Sequence, residues 1–299
     1  MVDPFRPGGA VCQHAEMTES GKWSVQVVSD PESAIEAAAA LVAANPVSYS
    51  VFSTVTASLV SEPSRYADPR WWVVSAAGGQ PVLVAMCTPP HPINLPQHVP
   101  SAIAALAGEL IATAVTVPGV TGPKKAVEEF LDHYLPAGGR RVRGREAMGV
   151  YDLPVAVHLP WPVAGQRRAA HEPDVELVAS WVAAFLLETG DGESDAVATA
   201  RRQIDLGNVS LWVVDGEPVA MCWASMPFGG VVRVSGVYTP RAHRGHGYAS
   251  AIVAAASARE QRRGHTCMLY TDLANPTSNK IYRALGYRYL GEDLRVTFA

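Results

Sequence analysis

The chain has 299 residues, 48% of them apolar and 17% charged, which is enough for a substantial core and too polar-poor for extensive disorder. Its formal net charge is -4 and no basic run exceeds Arg-Arg, which argues against nucleic acid as a partner, because a phosphate groove needs clustered cations. No apolar run reaches the ~18–20 residues of a membrane span, and Cys12, Cys87, Cys222 and Cys267 lack metal-ligand spacing, so no metal or membrane is expected and the thiols read as reduced, in a cytoplasmic protein.

Residues 1–22 lack the apolar core of a signal peptide and read as a flexible leader, with Met17 as a second candidate start. Residues 31–61 are Ala-rich and helical. A hairpin follows, from Trp72-Val73-Val74 through the turn at Gly79 to Ala85-Met86-Cys87. The Trp71-Trp72 pair offers aromatics for a pocket, although strand alternation turns one of them into the core. A helix begins near Ser101, after Pro100.

The same order then recurs. Helical sequence at 173–206 precedes Trp212-Val213-Val214, a turn at Gly216, and Ala220-Met221-Cys222. A period of roughly 140 residues points to tandem duplication. The stretch 153–172 has three prolines and no helical period, and reads as an extended linker. The expected organisation is therefore a leader (1–22), a first domain (23–152), the linker (153–172) and a second domain (173–299). Each domain is expected to be α+β, with a mixed α/β sheet flanked by helices.

Within the second domain, Val175, Val178, Val182 and Phe185 set a helical stripe over about 174–188, and a second helix covers about 193–206. A hairpin at 209–226 and a β-branched strand at 231–239 follow. A helix over about 246–263 carries the stripe Ala249, Ile252, Val253, Ala256. A strand at 266–272, a helix at 276–285 and a last strand complete the chain.

Between strand and helix lies Arg244-Gly245-His246-Gly247-Tyr248-Ala249. The first turn of a helix has N–H groups with no intrahelical partner, and the peptide dipoles add positive potential there. Glycines let a backbone approach a phosphate, and Arg244 adds forked donors. Such a turn suits a pyrophosphate, with His246 contributing its backbone rather than its side chain. An ordinary strand-to-helix turn remains the alternative on these residues alone. No Gly-Lys-Ser/Thr follows, so an NTP loop is not indicated. Asn275-Pro276 reads as N-cap and first helical residue, and Gly286 as the stop.

These residues resemble the GNAT superfamily of acetyltransferases. Arg244 to Ala249 fit its Arg/Gln-x-x-Gly-x-Gly/Ala motif. Asn275-Pro276-Thr277-Ser278-Asn279-Lys280-Ile281-Tyr282 to Tyr287 resemble its second block. The clear likeness covers about 205–299, and the whole chain resembles tandem-domain actinobacterial members whose N-terminal copy is degenerate. The resemblance implies acetyl-CoA as co-substrate, held by Val237, Tyr238 and Thr239 on the strand, by Arg244, Gly245, His246, Gly247, Tyr248 and Ala249 at the turn, and by Asn275 and Ser278. It implies Tyr282 as general acid toward the leaving thiolate and a backbone N–H near Val237 as oxyanion donor. The strand 231–239 holds no carboxylate. The base is therefore expected at Asp272, at Glu188 or in a water relay. The first copy lacks both motifs and is expected not to bind acetyl-CoA. The implied activity is N-acetylation of a primary amine on a small molecule or peptide, with homodimer formation left open. The alternative is a non-catalytic acetyl-CoA-binding or sensing protein.

Overall fold

The computed structural model describes residues 23–190 and 195–299, so the expected leader and Met17 lie outside the described residues. Strand β1 (Trp23–Val28) leads into α1 (Pro31–Ala44), where the Asp30 carboxylate accepts the Ser33 N–H at 2.8 Å and so caps the first turn. The helical stretch expected over 31–61 is two helices. Asn45-Pro46 breaks it, because a proline disfavours the α conformation at the residue before it, and α2 (Ser50–Ser61) starts afresh. The first half continues with β2 (Arg70–Ala76), β3 (Pro81–Cys87), β4 (Ile93–Asn94), α3 (Pro100–Ala112), β5 (Gly119–Pro123), α4 (Lys124–Gly138) and β6 (Val142–Leu153).

The proline-rich stretch expected as a linker contains a strand, β7 (Gln166–Ala169), which pairs antiparallel with β8. After it come α5 (Val175–Thr189), α6 (Ala196–Asp205), β8 (Val209–Val214), β9 (Glu217–Ala224), β10 (Val231–Tyr238), α7 (Tyr248–Arg262), β11 (Thr266–Asp272), α8 (Pro276–Ala284) and β12 (Arg288–Phe298).

Among the described residues, the strands form one 12-stranded mixed sheet in the order β1-β2-β3-β4-β5-β12-β6-β11-β10-β9-β8-β7. The order contains an exchange. The last strand of the chain, β12, lies between β5 and β6, while β6 of the first half lies against β11. Burial follows the exchange. Leu294, Val296 and Phe298 of β12 pack with α3 and α4, and Tyr151 and Leu153 of β6 pack with α7 and α8. Each such buried apolar side chain contributes about 1.5–3 kcal/mol, so neither half keeps its core without a strand of the other.

Side-chain alternation sorts the helices into two layers. Cys267 and Leu269 of β11 face α7 and α8, whereas Met268 and Tyr270 face the opposite side. On that opposite side α1 and α2 cover β2 and β3, through Trp71, Val73, Val84 and Met86, and α5 and α6 cover β8 and β9. Ser50 and Thr54 of α2 also accept hydrogen bonds from Arg233 of β10 at 3.2 and 3.1 Å. β2 and β10 stand far apart in the strand order. One helix touching both means the sheet curls around α2. Trp71 and Trp72 are both buried, one on each side of the sheet: Trp71 packs under α1 and α2, and Trp72, on the other side, lines a cavity together with Arg70, Cys87 and Arg140.

Candidate active site

The parallel pair β10 and β11 is zipped only from Val231–Arg233 against Thr266–Met268. Beyond Arg233 the strands part, and the β11-facing edge of β10 from Val234 to Tyr238 has no ladder partner among the described residues. A bulge accompanies the parting, for the register with β9 shifts between Ser235 and Tyr238. Gly236 makes the bulge, at φ +57 and with the Trp223 ring where a Cβ would project. Val237, Tyr238 and Thr239 thus line an opened strand edge. The Thr239 hydroxyl is buried there without a hydrogen-bond partner, an orphaned polar atom that a ligand in the cleft would satisfy.

The turn after β10 adopts the geometry an anion needs. Gly245 and Gly247 have φ of +84 and +81, a region that favours glycine. Gly247 is the residue before the first turn of α7. Among the described residues, the backbone N–H groups of 245–250 donate to no protein acceptor. Gly245, His246, Gly247, Tyr248 and Ala249 therefore present a row of vacant donors at a helix start. His246 is exposed and stacks on Tyr248 at 5.4 Å, so its ring lies at the surface.

Arg244 is held in place. Its Nε donates to the Thr239 carbonyl at 2.9 Å and its Nη2 reaches Glu188 of α5 at 2.7 Å. The Arg244 guanidinium, and then Arg241, keep the Glu188 carboxyl below the usual carboxylate range. Glu188 is thus committed to charge pairing beside the turn rather than poised to take a proton.

On the other wall, Asn275 caps α8 by accepting the Ser278 N–H at 3.1 Å. The exposed Asp272 carboxylate accepts the Ala274 N–H at 2.8 Å and shapes the turn that follows β11. Asn279 was not among the expected site residues, yet it fastens this corner. Its amide donates to the carbonyls of Asp272 and Asn275 at 2.8 and 2.7 Å and accepts the Tyr151 hydroxyl at 2.8 Å. Asn279→Ala leaves the buried Tyr151 hydroxyl and the part-buried carbonyls of Asp272 and Asn275 without this partner and is expected to lower stability by about 1–3 kcal/mol, measured as a drop in the urea midpoint with unchanged slope.

Tyr282 is 8% exposed, with its ring edge-on to Tyr287 at 6.0 Å. Its hydroxyl makes no hydrogen bond to the described protein. Burial raises the phenol above its ordinary value, so it stays protonated at neutral pH.

The first half differs at the corresponding place. β4 and β5 pair at Ile93–Asn94, and the pairing runs on through Leu95, whose N–H donates to the Thr121 carbonyl at 2.8 Å. α3 starts at Pro100 after Val99, with no side-chain cap and no glycine turn.

Three polar side chains that carried no sequence signal share the α1/α2 face of the sheet: Arg233, Tyr270 and Asp293. Asp293 accepts no hydrogen bond from the described residues, and burial pushes its carboxyl up to about 7. The unfolded chain releases this proton near pH 4. Between about pH 4 and 7 the native state therefore binds more protons, and stability falls as pH rises through that window. Asp293→Asn is expected to match the parent near pH 4 and to exceed it above pH 7 by up to about 4 kcal/mol, read from denaturation midpoints at the two pH values. Equal stability at pH 8 would place the carboxylate in contact with solvent or a cation.

An opened parallel pair followed by a glycine turn and a helix defines a cleft for an anionic, extended cofactor. Residues 177–287 match the family model described as acetyltransferase (GNAT) family, and this segment of the chain is a GNAT domain. Solved structures extend the likeness over both halves. The chain is similar to a Drosophila malonogaster protein (11% identity, 92% of this chain and 98% of that one, TM-score 0.66). It is also similar to an acetyltransferase from the GNAT family of Colwellia psychrerythraea (10%, 92% and 99%, 0.60). A third is a GCN5-related N-acetyltransferase from Sphaerobacter thermophilus (17%, 92% and 95%, 0.57). At these identities they establish the fold, a mixed α/β sheet flanked by helices. No curated protein matches the sequence significantly. Among the described residues no helix is long and apolar enough to cross a membrane, and no group of three or more His, Cys, Asp or Glu side chains could hold a metal ion.

Proposed function

We propose that the chain is an N-acetyltransferase in which acetyl-CoA lies in the cleft of the second half (173–299) and an amine is its acceptor. The observation that carries the reading is the conjunction of parted strands with vacant amides at 245–250, inside the segment that matches the GNAT family. Acetyl-CoA supplies the activated acyl group. The amides of Gly245 to Ala249 hold its diphosphate, with Arg244 beside them, and Asn275 and Ser278 border its path. The β10 edge at Val237, Tyr238 and Thr239 orients the pantetheine arm. A backbone N–H near Val237 stabilises negative charge on the acyl oxygen. The Tyr282 hydroxyl, protonated and unpartnered, donates to the departing sulfur. Asp272 stands at the end of β11 as the carboxylate that receives the amine proton, directly or through water. The first half has no such cleft in this reading, and its strand β6 completes the site's sheet.

A second reading, a non-catalytic acetyl-CoA-binding or sensing protein, draws on three observations about the candidate bases. No carboxylate lies on β10, Glu188 is paired with Arg244, and Asp272 already accepts a backbone N–H. Calorimetric titration with acetyl-CoA, followed by thiol release against an amine panel, separates the two. Binding with turnover is the expected result. Binding without turnover selects the sensing reading, and no binding rejects both.

A further inference from the structure

We propose that the first half carries a binding site of its own, the cavity walled by Trp72, Cys87 and Arg140, and that it takes a small organic carboxylate with an apolar body. The site is separate from the cleft of the second half and does not depend on the transferase reading.

The register builds one wall. Arg70 and Trp72 are alternate residues of β2 and share the α3/α4 face, and Cys87 of β3 directly opposes Arg70. The segments that follow α3 and α4 bring Val115, Val117 and Arg140 against them, and these residues line a cavity of about 460 Å³. Small-ligand sites run to roughly 300–1,000 Å³. β3 ends at this wall, and β5 begins just beyond it at Gly119. The cavity thus lies at the N-terminal end of β5, whereas the cleft of the second half lies beyond the zipped part of β10 and β11, toward their C-terminal ends.

Two groups of this cavity lack an acceptor. The Trp72 indole N–H is sealed from water and donates to nothing among the described residues, although a buried indole N–H usually finds a partner. Arg140 is half-buried and pairs with no carboxylate among the described residues. Asp68, also on the lining, is already committed to Arg70, with Nε to Oδ1 at 3.1 Å and Nη2 to Oδ2 at 2.7 Å. The Cys87 thiol, which burial pushes up to about 12, also feels Arg70 and then Asp68, so this ion pair stands close to the wall and the thiol stays neutral. Two guanidiniums against one carboxylate leave one net positive charge. A cationic ligand would add to it, and a neutral one would leave Arg140 unmatched. A monocarboxylate neutralises it and brings the acceptor oxygens that Arg140 and Trp72 lack, while its apolar body covers Val115, Val117 and Cys87.

The walls are also tied to the second half. Pro118, on the lining, and Arg141, next to Arg140, accept the N–H groups of Phe298 and Ala299, each at 2.9 Å. A ligand that braces both loops therefore braces the seat of β12, and it should raise the melting temperature of the whole chain.

The test uses the full chain without acetyl-CoA and two matched probe sets, 3-phenylpropionate with its amide and 3-phenylpropylamine, and hexanoate with its amide and hexylamine. Affinity is read by calorimetry. The Trp72 indole N–H is followed by nuclear magnetic resonance, its signal assigned with Trp72→Phe. At least one carboxylate is expected to bind about tenfold or more tighter than its amide and its amine, and to move the Trp72 signal on saturation. Arg140→Gln is expected to weaken that carboxylate about fivefold or more, and Asp68→Asn, which frees Arg70, to tighten it about threefold or more. Both side chains are at least partly exposed, and folding of each variant is checked by circular dichroism. A purely structural role would not move affinity in opposite directions. Gly245→Asp, in the other cleft, is expected to leave carboxylate binding within about twofold. The inference is overturned if neither carboxylate binds, if the amides bind as well, if Arg140→Gln leaves affinity unchanged, or if the Trp72 signal stays in place. Loss of carboxylate binding in Gly245→Asp would also overturn it, by placing the anion at the glycine turn of the second half.

Discussion

Gly247→Asp is expected to weaken acetyl-CoA binding at least 100-fold, about 2.8 kcal/mol, measured by calorimetry. Two effects add at this position. The first is electrostatic: a carboxylate placed among the vacant amides takes the donors meant for the diphosphate and repels it. The second is steric. A Cβ on Gly247 would lie 3.0 Å from Trp161 Nε1 and 3.2 Å from Val163 Cγ2, and the residue sits at φ +81. The segment before β7 would have to shift, so some loss of stability is expected with the loss of binding. Gly245→Asp separates the two. Its φ is similar, at +84, but nothing lies within 4 Å of the added Cβ. It brings the same charge without the collision, and should lose most of the affinity while melting close to the parent. Undiminished affinity in both variants would put the diphosphate somewhere other than this turn.

The two glycines were legible from the sequence because their requirement is local. A strand, a Gly-x-Gly turn and an apolar helical stripe lie within a few residues, and backbone sterics decide the rest. The Asn275 cap was readable for the same reason. What escaped the sequence is nonlocal. Nothing in Val142–Leu153 or Arg288–Phe298 says that the two strands cross over to border each other's halves, since a run of alternating residues carries no address for its partner. β7 was hidden because Gln166-Arg167-Arg168-Ala169 is polar and follows three prolines; pairing with β8 overrides its weak propensity. The Glu188–Arg244 pair joins a helix end to a turn distant in the chain. Arg233, Tyr270 and Asp293 come from three strands, and each alone reads as an ordinary exposed polar residue. Only the register puts them on one face of the sheet. The break at Asn45-Pro46, by contrast, was written locally in the sequence, yet the Ala-rich composition on either side masked it.

Tyr282→Phe is expected to lower kcat by about 10²–10³-fold while the dissociation constant for acetyl-CoA stays within about threefold. The structure makes this a clean deletion. The hydroxyl has no protein partner among the described residues, so its removal orphans nothing, and the phenyl ring keeps its edge-on contact with Tyr287. Stability should change by less than about 1 kcal/mol, which removes unfolding as an explanation for lost turnover. The pH profile supplies an independent reading. Burial raises the Tyr282 phenol, so in the parent protein the acid form persists through the alkaline range and kcat should not fall as pH approaches 10 on its account. An acid that works only at the leaving sulfur also predicts a selective rescue: a thioester whose thiol is more acidic than CoA needs less protonation, and should lose less rate on substitution to Phe. Equal loss with both thioesters would assign Tyr282 to positioning, and no loss at all would make it a packed core aromatic and return the leaving-group proton to solvent.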